Sequence, residues 1–152
     1  MRKQIFQAIQ ACLSERVPQI QSIDLWNENM TEDATYPCPA VFIEFETIEW
    51  RQQNNSVRRG NIAVRLHVLT QYSNNNDNKL DFFDLLDNIN AAMHGLRGEN
   101  FSGFLHTMSI TNHNYAQHIE CIERYVTSAQ DVSTLLRQGV SICSGLDIVL
   151  RD

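Results

Sequence analysis

At 152 residues with 43% hydrophobic content, the chain fits one domain with a core of its own, which excludes wholesale disorder. Twelve basic against eighteen acidic side chains leave a net charge of −6, which argues against a dedicated nucleic-acid binder with its basic face. The four cysteines, Cys12, Cys38, Cys121 and Cys143, are scattered and form no C-x-x-C, so reduced thiols in a protein made in the cytoplasm are expected.

The first ten residues begin basic but lack a continuous apolar core, so no signal peptide is expected. No run approaches the roughly 18 apolar residues of a membrane span. Residues 3–15 predict a helix, because Ile5, Phe6, Ile9, Cys12 and Leu13 form one stripe, and Pro18 ends it. Residues 22–27 alternate briefly, as a short edge strand would, and 28–36 read as a polar loop. Pro37 and Pro39 favour an extended approach to a strand over 41–50. In it Val41, Ile43 and Phe45 point inward, while Phe42, Glu44, Glu46, Ile48 and Trp50 share a second face too apolar for plain solvent.

Gln52 to Gly60 reads as a polar hairpin tip carrying Arg58 and Arg59. The next strand, 61–72, sets Ile62, Val64, Leu66, Val68, Thr70 and Tyr72 against Ala63, Arg65, His67, Leu69 and Gln71, the pattern of a half-buried antiparallel strand. Two long arms project the tip beyond a small core, and a lone ribbon has little stability, so support from a neighbouring subunit is expected.

Residues 73–78 form a turn-rich linker, with Asp77 or Asn78 as helix cap. A helix over 79–94 follows, with Phe82, Leu85, Leu86, Ile89 and Met93 on one side and Phe83 flanking them. Asp81, Asp84, Asp87 and Asn88 lie opposite, and Gly95 and Gly98 stop the helix. A strand over 104–111 shows Phe104, His106, Met108 and Ile110 on one side; 112–117 is a hairpin connection and 119–127 another strand. Residues 128–136 suggest a short helix, and 140–150 a last apolar segment with strand character. The class is α+β: an antiparallel sheet with a long hairpin, packed against an N-terminal and a central amphipathic helix.

Chemistry is sparse. His113, His118 and Cys121 match no zinc spacing, so no metal site is expected. Glu44 and Glu46 would sit about 7 Å apart on one strand face. No nucleophile, oxyanion donor or glycine-rich loop accompanies them, which favours a surface lining something charged over acid–base catalysis. Arg58 and Arg59 suit a phosphate or an acidic partner, though most basic pairs at turns simply face water. There is no G-x-S-x-G, phosphate-binding loop, H-E-x-x-H or dinucleotide fingerprint. No catalytic residues, no cofactor and no enzyme activity are expected.

The order of elements carries a resemblance. An amphipathic helix precedes a proline-led strand (Pro39-Ala-Val-Phe-Ile-Glu-Phe45), a polar hairpin, a glycine-led strand (Gly60-Asn-Ile-Ala-Val-Arg-Leu-His-Val68), a second amphipathic helix and two closing strands. Over residues 1–127 this resembles the tail-terminator, or tail-completion, proteins of long-tailed bacteriophages and prophages, with 128–152 as an extension on a single domain. The resemblance implies a structural virion subunit made in the host cytoplasm, forming a hexameric ring on the tail tube at the neck. Its partners would be further copies, the tail-tube protein and a head–tail connector, with no membrane. Phe42, Ile48, Trp50, Arg58 and Arg59 are the candidate subunit interface. Trp50→Ala or Arg58→Glu would then impair assembly more than folding. Glu44 and Glu46 are the candidate acidic lumen face, past which DNA slides without specific binding. Alternatives are another neck subunit or a monomeric protein-binding module using its sheet edge.

Overall fold

The computed structural model describes residues 1–27, 36–71, 77–112 and 118–134. The loop expected from residue 28, most of the linker before the central helix, the hairpin connection at 113–117 and the apolar segment at 140–150 lie outside them.

Two helices, α1 (Arg2–Arg16) and α2 (Asp77–Met93), pack on one face of a six-stranded sheet. The strands are β1 (Ser22–Leu25), β2 (Ala40–Phe45), β3 (Trp50–Gln52), β4 (Arg58–Gln71), β5 (Leu105–Asn112) and β6 (His118–Asp131). The order across the sheet is β1-β2-β4-β6-β5; β3 also pairs with β4, on the flank used by β2. All pairings are antiparallel except β1 with β2. The α+β class is the one the alternating strands predict.

Helical spacing sends Ile5, Ile9 and Leu13 of α1, and Phe82, Leu85, Ile89 and Met93 of α2, into the main core. The sheet contributes Val41, Ile43, Ile62, Val64, Leu66, Val68, Cys121 and Tyr125. Gly95, at φ +73°, follows the end of α2 in the left-handed region, as a C-terminal cap requires.

Three expectations are corrected. β4 is not half-buried: Ala63, His67 and Leu69 are buried on the second face too. The hairpin does not stand as a lone ribbon, because β6 pairs with β4 along its whole length, from Gln71↔His118 to Arg58↔Asp131. Residues 128–131 therefore continue β6 past the strand end expected at 127, and of the helix expected over 128–136 the described residues 133–134 are helical.

The strand over 41–50 is broken as well. Phe45 pairs with Val64, but Trp50 pairs with Gly60, five residues on one side against four on the other. The extra residue slips the register by one and exchanges faces. A second irregularity lies between His106 and Met108, where Thr107 has no partner in the register.

Candidate functional site

The second sheet face carries a charged cluster walled by aromatics. Phe42 is 2% exposed, not a surface anchor: it packs with Ala40 and Leu69 under Trp26 and Tyr36. Trp26 stacks on buried His67 with centroids 3.7 Å apart and planes at 4°. His67 Nε2 meets the Glu44 carboxylate at 2.8 Å, and its Nδ1 lies 3.4 Å from Glu120, itself 2% exposed. Next to this group, Arg124 donates to both oxygens of Glu46 at 2.6 and 3.2 Å, and Arg65 donates at 3.0 Å. The Arg124 hydrogen bond holds the Glu46 carboxyl below its ordinary range, against the opposing effect of burial and with help from Arg65. Glu44 and Glu46 do share a face, as predicted; Glu44 is hydrogen bonded to His67 and Glu46 is paired with two arginines.

The one-residue slip moves Ile48 and Trp50 to the helix-bearing face, away from Phe42, Glu44 and Glu46. Both pack against the main core, and the Trp50 ring lies over Gly60. Arg58 stacks on that ring at 4.3 Å and bonds Asp131 at 2.8 Å. Burial alone would raise the Asp131 carboxyl; bonds from Ser133 and Arg58 outweigh it and lower it. Trp50 and Arg58 thus hold the tip to the end of β6, and Trp50→Ala or Arg58→Glu would damage the fold itself. Arg59 is exposed.

On the helix-bearing face, Phe83, Leu86, Asp87 and Asn90 of α2 face His106, Ser109 and Glu123 across a cleft of about 300 Å³. Sequence reasoning missed this grouping, since only the bulge at Thr107 brings His106 and Ser109 to the same side. His106 Nε2 lies 2.7 Å from Glu123 and 3.2 Å from the Ser109 hydroxyl, which also donates to Glu123. Serine, histidine and acid here resemble a hydrolytic triad in composition only. A triad uses the two ring nitrogens separately, one for acid and one for nucleophile. Here both partners meet Nε2, so the ring cannot relay a proton between them. Beneath it Tyr125 donates to Asn90 at 3.1 Å; burial, reinforced by Glu123, raises its phenol.

His118 and Cys121 belong to opposite faces of β6, and His113 lies outside the described residues. Among the described residues no group of three or more His, Cys, Asp or Glu side chains is placed to hold a metal ion.

Exposed apolar side chains mark the sheet margins. The bulge at Thr107 turns Leu105, Met108 and Ile110 to the face away from the helices, where they pair with Val126, Arg124 and Ile122 and are 60%, 38% and 38% exposed. At the opposite margin Leu25 of β1 is 51% exposed. No protein-family model matches the chain, and no curated protein is significantly similar to it.

Proposed function

We propose that the chain is a non-enzymatic assembly subunit, a tail terminator that closes as a ring on the tail tube of a long-tailed phage and joins it to the head. The observation that supports this reading is the β5 margin. An eight-residue strand ends the sheet among the described strands and exposes Leu105, Met108 and Ile110. An exposed strand edge with apolar side chains invites pairing unless a partner covers it. The opposite margin, β1 with Leu25, is a different surface, so contact between the two is head-to-tail, and such contacts close into rings when the rotation allows. The fold order that resembles tail terminators supplies the particular assembly; the virion location, the partners and DNA passage through the lumen belong to the same proposal. Light scattering over a concentration series, with negative-stain images of mixtures with the tail-tube protein, tests it. A closed ring capping tube ends is the expected result. Tubes that keep growing, uncapped, in the presence of the chain would overturn the reading.

A further inference from the structure

Arg51 and Arg59 are directly opposed Cα partners in the β3–β4 pair, and both are exposed. Among the described residues neither has a carboxylate at ion-pair distance, whereas Arg58, Arg65 and Arg124 each do. Glu49 lines the same groove, of about 540 Å³, without pairing with either. Like charges facing each other across a ladder destabilise it, and an incoming anion removes that penalty. At the other side of the molecule the α2–β5 cleft has the converse chemistry. Phe83 stands 54% exposed at its rim, and the carboxylates of Asp87 and Glu123 line it. An aromatic face beside a carboxylate is what a guanidinium takes, by stacking on the ring and hydrogen bonding to the acid. Within one chain β4 and β6 stand between β3 and β5, so these two surfaces meet only between molecules.

We propose that the Arg51–Arg59 tip of one copy docks in the Phe83–Asp87 cleft of the next, forming the repeated contact of the assembly. The contact deepens the ring reading and rests on it for its biological meaning. It is head-to-tail, because tip and cleft are different surfaces of the same chain.

The test uses two full-length variants, Arg51→Glu with Arg59→Glu at the tip and Asp87→Arg in the cleft, compared with the parent by sedimentation velocity. Circular dichroism melts confirm that each is folded. Each variant alone should self-associate roughly a hundredfold more weakly, since like charges then meet at every contact. An equimolar mixture should recover assembly, because reversed tip meets reversed cleft and native tip meets native cleft around an alternating ring. Unchanged association of either variant alone, or a mixture no better than its components, overturns the contact. So does a parent that stays monomeric throughout, while the ring reading falls separately, only if tube ends stay uncapped. Unchanged assembly with loss of oligonucleotide binding in the tip variant would overturn it too, assigning the arginines to phosphate.

Discussion

Gly60 shows how one missing side chain organises the hairpin tip. A Cβ there would sit 3.0 Å from the Glu49 carbonyl oxygen and 3.0 Å from the Trp50 ring, so glycine lets the ring approach β4 closely. Arg58 also stacks on the ring and bonds Asp131, joining three strands through side chains of quite different chemistry. Gly60→Ala should therefore destabilise the protein by about 1–3 kcal/mol, the usual range for overpacking against a backbone that cannot retreat. A melting curve measures it; an unshifted midpoint would show that the ring moves aside freely. The buried thiols allow a second expectation at this scale. Burial raises Cys121, and to a lesser structural depth Cys38, above the ordinary thiol range, and Cys121 is 2% exposed. The thiolate is the reactive form, so in the native protein Cys121 should resist a thiol reagent at neutral pH until denaturant is added. Rapid labelling of Cys121 without denaturant would contradict the packing described.

Among the elements, the Arg65–Glu46–Arg124 group ties the end of β2 to the two longest strands. Glu46 has a lowered carboxyl in the folded chain, so the unfolded chain binds its proton first as pH falls. Its stabilising share is present above the ordinary glutamate range and is lost as pH drops through the lower folded value. Urea unfolding of the parent and of Glu46→Gln should therefore differ at pH 7 and converge at strongly acidic pH. A gap of constant size at both would mean that the charge contributes nothing. The elements themselves were largely legible in the sequence. Both helices and the long strands follow from apolar spacing, because burial selects for period and period is printed in the residues. What alternation could not show were the two register slips, which depend on hydrogen bonding to a partner strand. One slip separates Trp50 from Phe42; the other puts His106 beside Glu123 and leaves Met108 and Ile110 outside. Nor could it show that Trp26, beyond a strand of four residues, would roof Phe42 and His67. The end of β6 was missed for a simpler reason: Ser128, Gln130 and Asp131 are polar. What keeps them in the sheet is pairing with Arg58, Arg59 and Asn61 on one side and backbone hydrogen bonds linking Gln130 with Asn100 and Ser128 with Ser102 on the other.

For the whole molecule, the question is which margins are free and whether they match each other. If β5 met β5 of a second copy, the contact would be isologous and growth would stop at a dimer with two fused sheets. If β5 and the adjoining cleft meet the far margin instead, each copy keeps one free surface until a ring closes. Solution mass separates these cases, since the first saturates at twice the chain mass and the second does not. The β5 side chains can then be tested without touching the core. Leu105→Lys combined with Ile110→Lys places charges on a solvent-facing edge opposite uncharged Val126 and Ile122, where substitutions usually change stability by no more than about 0.5 kcal/mol. Lysine on an edge strand also opposes pairing with another strand. The double variant should melt close to the parent yet remain smaller in solution at every concentration where the parent assembles. Phe42→Lys serves as the contrasting control, because it would bury an unpaired ammonium beneath Tyr36 and Trp26 and should unfold the chain. Full-size assemblies from the double-lysine variant would show that the β5 margin stays in water after assembly, and the ring would then have to be built from other surfaces.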